Sequence, residues 1–461
     1  MPAQSPPGEG QPVIGSFGDP EIFRTLDLAL RIGELLLSSG AGAADVRAQM
    51  DNVAYACGLR GYSVDVTFTE LAMSHQSTPE QPALIQIRNV RHREVDYEDL
   101  TLVDHLVRDL VVGRIDRDQA ATRLNRIVSS GHARPKWAVT LGLGAMGGGV
   151  GLVLGGDLVV VLIAFIAVVG VDLLQRRMTR NRIPTFYQQV AGGLLATLLA
   201  VGVDAVGLPV ARSTVITAGI ILLLAGVSFL GAIQDALTGF PLTAGARILE
   251  AIIATAGVIG GVSGGLQLAR VVGLPLGTLD PGVITYGDVA LMGLGGAITA
   301  AAYAYSSYAP YRALLPVAVI GAAAVLVYRL MFDRGFGVAW ASGVAALVVG
   351  LVSFSVAGRA RVPALVVVTA AIVPLLPGLS IYRGLALLSD GGSTGLLAMV
   401  TAAAIAIALS SGVILGEYIA QPLKREARKL ETRLAGPRLV GPLTARASSP
   451  TRRRRSRRTS P

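Results

Sequence analysis

One cysteine, Cys57, stands in a chain of 461 residues, so no intramolecular disulfide can form. The four histidines, His75, His92, His105 and His132, are scattered and give no zinc spacing with that lone thiol. No resident metal and no cofactor is expected. Charge is also scarce. Only 15% of the residues are charged, against roughly a quarter in a soluble protein. No G-x-x-x-x-G-K-[ST] sequence occurs. The glycine-rich GAMGGGVGLVLGG lacks the lysine and lies in an apolar stretch, which argues against an ATP-driven pump. The N-terminal MPAQSPPGEGQPVIGSFGDP has neither the basic nor the apolar region of a signal peptide and reads as a disordered lead over 1–20.

What is abundant is apolar surface. Hydrophobic residues make up 52% of the chain and glycine numbers 56, with a mean hydropathy of +0.59. Glycine at that frequency suits close helix packing in lipid. The fold class is an α-helical polytopic membrane protein preceded by a small α/β domain.

That domain covers 21–132. EIFRTLDLALRIGELLLSSG repeats apolar residues at helical spacing, and Gly40 supplies a stop. AADVRAQMDNVAYACGL predicts a second helix. GYSVDVTFTELAMSHQ and ALIQIRNV alternate and predict two paired strands. YEDLTLVDHLVRDLVVGRI and DRDQAATRLNRIVSS are helical again.

From Trp137 onward ten apolar segments follow, at about 137–156, 158–174, 185–206, 214–233, 244–265, 284–308, 311–330, 336–356, 362–388 and 394–420. Most approach the ~20 residues that span a bilayer. They divide into a first membrane half, 133–272, and a second, 273–422, leaving a basic tail over 423–461. Loop arginines set the orientation. Seven (four in QRRMTRNR, then Arg312, Arg359 and Arg361) fall on one side, and four (Arg212, Arg270, Arg329 and Arg334) on the other. With the tails included, both termini and the α/β domain are predicted to be cytoplasmic, in a multi-pass protein of the plasma membrane. The tail's RRRRSRR is a topogenic cluster that suits anionic lipid headgroups better than nucleic acid.

Two irregular stretches point to a transport site. AIVPLLPGLSIYRGL places Pro374, Pro377 and Gly378 inside an apolar span, with Tyr382 and Arg383 just beyond. Proline removes a backbone donor, and freed carbonyls in hydrocarbon need a partner. Interrupted helices in transporters aim such groups at substrates and ions. A zwitterion fits: its carboxylate meets Arg383 or a half-helix N-terminus, its ammonium the freed carbonyls. The simpler reading is a structural kink with Arg383 reaching the interface.

The second stretch, SFLGAIQDALTGFPLTAGARILEAII, holds Gln234, Asp235, Thr238 and Gly239, then Arg247 and Glu250 three apart. Charge near a membrane interior is a functional candidate by default. Asp235 or Glu250 would carry a coupling proton, unless Arg247 and Glu250 simply satisfy each other. Both stretches join the fourth and fifth segments of a group of five, and five is odd, so the halves would form an inverted repeat. The tyrosines of AAYAYSSYAPYR read as an interfacial belt or a vestibule lining.

These stretches resemble the threonine/serine exporter family. The resemblance is carried by LALRIGELLLSSGAGAADVRAQMDNVAYACGL, SVDVTFTELAMS, IQDALTGFPLTAGARILEAII and AIVPLLPGLSIYRGL, in that order over about 21–422. It implies a ten-helix secondary transporter exporting threonine and serine, an antiporter driven by the proton motive force, rather than an enzyme. The family-like positions are Ser39, Gly40 and Gly42, then Asp235, Gly239, Arg247 and Glu250, then Pro374, Pro377, Gly378, Tyr382 and Arg383. Two alternatives stay open for 21–132. One is a membrane-tethered enzyme using Asp45, Asp51, Asp65 or Glu70, although no catalytic pattern supports it. The other is a ligand-sensing regulatory domain. Self-association into a homo-oligomer also stays open.

Overall fold

A computed structural model of the chain describes residues 20–80, 82–90, 93–206, 212–223, 226–273, 288–377, 380 and 394–434. It opens with helices α1 (Pro20–Ser38) and α2 (Ala43–Ala56), strands β1 (Tyr62–Val66), β2 (Glu70–His75) and β3 (Leu84–Asn89), and helices α3 (Tyr97–Val111) and α4 (Arg117–Ser130). The face of α1 carrying Leu26, Leu30, Ile32 and Leu37 is buried, as its spacing predicts. Gly40 ends the helix at φ +98°, where the Ala41 N–H reaches Leu36 O at 3.0 Å and the Gly40 N–H reaches Leu37 O at 3.4 Å. This paired closure needs a left-handed residue, which glycine supplies without strain.

The sheet is antiparallel in the order β1-β2-β3. The sequence reading of two strands falls short by one. The 61–76 stretch folds back on itself, and the Thr67 N–H donates to Glu70 O at 2.9 Å to close the turn. Its polar, β-branched tip gave no Asn-Gly or Asp-Gly signal.

Asp96 caps α3, accepting from the Glu98 and Asp99 N–H groups at 3.0 Å each. His132 Nε2 lies 3.0 Å from the Asp96 carboxylate. In this acidic corner, burial and then the Asp96 charge push the Asp99 carboxyl up to about 6, with His132 opposing them. Because the folded protein holds this proton more tightly than the unfolded chain, stability is lost as pH rises from about 4 to 6, and the whole cost is present above. Asp99→Asn therefore raises the melting temperature at pH 7.5. After allowance for its half-exposed position the gain is about 1 kcal/mol, and it shrinks towards zero as the buffer approaches pH 4. An equal gain at both pH values contradicts the assignment.

The bundle comprises α5 (Lys136–Val153), α6 (Leu158–Arg180), α7 (Thr185–Ala205), α8 (Arg212–Gly219), α9 (Gly226–Leu237), α10 (Pro241–Val271), α11 (Val289–Ser306), α12 (Tyr311–Asp333), α13 (Val338–Ala360), α14 (Ala364–Ile372) and α15 (Thr394–Leu434). Eight helices among the described residues are long and apolar enough to cross a membrane. Of the expected ten, eight appear as intact spans among the described residues and the fourth as a bent pair, while the ninth is described only as a short apolar helix and the turn after it. The fourth apolar segment divides into α8, a short 3-10 turn (Ile221–Leu223) and α9, with a bend of 43°. The ninth, α14, tightens into a 3-10 turn at Val373–Leu375, where Pro374 withholds the donor that an α-helix would send to Ala370.

Small residues let backbones touch. On α15, Gly412 and Gly416 form a G-x-x-x-G pair against α13. A Cβ on Gly412 would overlap the Gly343 carbonyl oxygen, and one on Gly416 would overlap that of Leu347.

Candidate functional site

The loop between α1 and α2 meets the bundle at α9 and α10, and the meeting is ionic. Gly42 caps α2 with no side chain of its own. Instead the Asp235 carboxylate of α9 accepts from the Ala43 N–H at 2.8 Å. A carboxylate at a helix N-terminus answers both the orphan donor and the dipole. Gly42 leaves the room, since a Cβ there would lie 3.3 Å from Asp235 Oδ1. Arg247 of α10 completes the arrangement. Its Nη1 lies 3.0 Å from Asp235 Oδ2, and its Nη2 donates to Ala41 O at 3.1 Å. Asp235 is 1% and Arg247 7% exposed. Arg247 is thus matched by Asp235 and not by Glu250, which lies exposed one turn on.

Gln234 and Asp235 do not interrupt a helix. α9 runs through both, and the irregularity lies upstream, between Gly219 and Gly226. Gly239, at φ +93°, is a helix stop like Gly40, with the Phe240 N–H returning to Asp235 O at 2.8 Å. Ser39 is buried, and its carbonyl accepts from the Asp96 N–H at 3.2 Å.

Beside the ion pair lies a cavity of about 160 Å³. Ser38, Gly40 and Gly42 line it from the N-terminal side, Gln234, Arg247 and Glu250 from α9 and α10, and Thr369 from α14. Arg93 also faces it, a residue that carried no signal in the sequence. Backbone pairing puts it there: the Glu94 N–H donates to Ser38 O at 2.9 Å. Burial, and then the like charge of Arg247, lowers Arg93 to about 10, against the pull of Glu250 and Asp235. It still carries its proton at neutral pH.

A second cavity, of about 120 Å³, lies between the fourth and ninth apolar segments. Thr217 and Ile221 line it from the first, and Pro374, Leu375, Leu376 and Pro377 from the second. Thr217 Oγ1 is buried without a hydrogen-bond partner among the described residues. The ninth segment borders both cavities, through α14 at the ionic one and through the 3-10 turn that follows it at the apolar one. Thr369 at the ionic one and Pro374 at the apolar one are about 8 Å apart along a helix. Gly378, Tyr382 and Arg383 lie outside the described residues.

The tyrosine cluster serves docking. Tyr97 of α3 is fully buried, hydrogen-bonded to Thr369 of α14 and edge-on to Tyr303 of α11, 6.3 Å between centroids. Tyr308 stacks on His132 at 3.9 Å, and Arg134 lies over Tyr305 and Tyr311 at 4.5 and 4.6 Å. Asp45, Asp51, Asp65 and Glu70 are spread over α2, β1 and β2, with Asp65 and Glu70 exposed. Asp172, accepting from Thr140 at 2.6 Å and paired with Arg176 at 2.8 Å, is a satisfied buried carboxylate.

The two stretches joined at Asp235–Arg247, SSGAGAADV and IQDALTGFPLTAGAR, are ones a family comparison picks out. A family model described as "Putative threonine/serine exporter" matches residues 27–269, and one described as "Threonine/Serine exporter, ThrE" matches 293–419. The chain belongs to the threonine/serine exporter family. A "Probable threonine/serine exporter" of Mycobacterium tuberculosis (strain ATCC 25618 / H37Rv) is 34% identical over 92% of this chain and 82% of its own. The "Threonine/serine exporter" of Corynebacterium glutamicum is 33% identical over 88% and 85%. No solved structure matches. As a member of the threonine/serine exporters, with eight spanning-type helices among the described residues, the chain is a multi-pass membrane protein of a transporter family.

Proposed function

We propose that the chain exports threonine and serine across the plasma membrane, driven by the proton motive force, as a ten-span secondary transporter. In this reading residues 21–132 form a cytoplasmic domain with both termini on that side. The halves 133–272 and 273–422 are inverted repeats, and 423–461 is a basic tail against anionic headgroups. A 3-10 turn occurs in the fourth segment of each half, at Ile221–Leu223 and Val373–Leu375, which supports the repeat. The relatives' names support the substrates.

The observation that carries the reading is that the ninth segment borders both cavities, α14 lining the ionic one through Leu365 and Thr369 and the turn after it lining the apolar one through Pro374 and Leu375. A small zwitterion enters at the ionic cavity, where Asp235, Arg247 and Glu250 stand near Gly239. It then moves along α14 to the interruption at Pro374 and Pro377, with Gly378, Tyr382 and Arg383 beyond. Freed carbonyls and Thr217 Oγ1 replace water around it. Asp235 is the carboxylate placed to exchange a proton for its bond to Arg247.

Efflux from cells preloaded with threonine- or serine-containing dipeptides tests this. The intact chain raises external threonine and serine above cells lacking it. Pro374→Ala with Pro377→Ala restores a continuous helix and withdraws the carbonyls, lowering export about tenfold or more. Unchanged efflux from cells with and without the protein refutes the exporter reading. Normal export by the double variant refutes the role of the break alone.

A further inference from the structure

We propose that Arg93 receives the carboxylate of a free α-amino acid in the cavity between the N-terminal loops and α9, α10 and α14. The inference rests on the exporter reading and names the group that admits its substrate.

The guanidinium of Arg93 lies over the Phe68 ring, 3.9 Å from its centroid, and donates through Nη2 to the Phe68 carbonyl. Stacking and bond together fix its plane. Its Nε is buried and has no hydrogen-bond partner among the described residues. Arg93 is half-buried, and no described carboxylate pairs with it. Arg247, by contrast, is matched by Asp235 at 3.0 Å. A partly desolvated cation with no anion in direct contact is costly, and the cost is relieved when a ligand supplies one. The rigid fork of arginine fits a carboxylate through two parallel bonds.

The same cavity limits what else the ligand carries. Glu94 and Glu250 line it, and both are exposed. Neither pairs with a described cation. With Asp235 close by, a dianion or a phosphate meets repulsion, whereas a zwitterion sets its ammonium against Glu250. Ser228 and Gln234 offer polar groups to a hydroxylated side chain. The volume of about 160 Å³ holds about five waters or one small amino acid. A free amino acid is therefore distinguished from its amide at Arg93 and from its N-acyl form at Glu250.

The test is calorimetric binding to the full-length protein in nanodiscs, with threonine, threoninamide and N-acetylthreonine as probes. The intact protein binds threonine at least about tenfold tighter than threoninamide, the worth of one charged hydrogen bond. Arg93→Gln binds the two alike. Arg93→Lys, which keeps a cation on Phe68 but loses the fork, shows an intermediate preference and serves if Arg93→Gln does not fold. Glu250→Gln changes an exposed position. It keeps the carboxylate preference and loses the preference for threonine over N-acetylthreonine. Undiminished discrimination against threoninamide in Arg93→Gln or Arg93→Lys overturns the inference. So does an intact protein that binds threonine and threoninamide equally, and either result leaves export standing. An intact protein that neither binds nor exports threonine overturns the exporter reading itself.

Discussion

Arg247→Ala abolishes threonine efflux and lowers stability by about 3–5 kcal/mol, the cost of stranding one partner of a buried ion pair. The stranded group is Asp235, 1% exposed, with the Ala43 N–H as its remaining partner. The Ala41 carbonyl loses its donor as well, so the α1–α2 loop loosens from α9 and α10. Melting of the purified protein reports the loss. A companion variant isolates the cause. Adding Asp235→Asn to Arg247→Met removes the stranded charge while the amide oxygen still caps α2. That double variant recovers much of the melting temperature and none of the efflux. If it melts no higher than Arg247→Met alone, the uncompensated carboxylate is not the source of the defect.

Gly412→Leu has an effect of similar size with a different cause. A Cβ at this position falls far inside contact distance of Gly343 O, and the atom it meets is backbone, which cannot swing aside. α13 and α15 must separate, which costs about 3 kcal/mol or more, and the protein fails to accumulate in the membrane. Gly264 of α10, where an added Cβ meets nothing within 4 Å, is the control: Gly264→Ala leaves yield and melting unchanged. Equal yields for both variants would show that the glycine crossing does not set the helix spacing.

The docking geometry also bears on the alternatives for 21–132. Removing those residues exposes Tyr97's seat against Tyr303 and Thr369 and takes the Ala43 N–H and the Ala41 carbonyl from the Asp235–Arg247 pair. Loss of flux on truncation therefore does not by itself indicate an enzyme. Point changes at Arg93 and Glu250, which leave the interface in place, separate the roles more cleanly.

Much of the fold was legible because each element advertises itself locally. The apolar runs gave the eight spanning helices, the 3.6-residue pattern gave α1, and Gly40 gave its end. Pro374 announced its own interruption, since proline's missing donor acts within one turn. The break in the fourth segment went unseen at its true place. Gly219–Gly226 holds no proline, and Asp235 drew attention by its charge although α9 passes through it undisturbed. Arg93 was invisible because nothing in RHREVDY marks one arginine over its neighbours.

The sequence by itself determined that the chain crosses a membrane, where the spans lie, and which carboxylates and cations stand among apolar residues. Those properties follow from composition and short-range backbone chemistry. Only the tertiary structure decided who partners whom. Asp235 caps a helix that begins 192 residues earlier, and Arg247 turns to Asp235 and not to Glu250. The tyrosines at the end of α11 and the start of α12 hold the N-terminal elements. Charge pairing in a low-dielectric interior is settled by whichever group the packed helices bring within about 3 Å, and spacing along the chain does not report that distance.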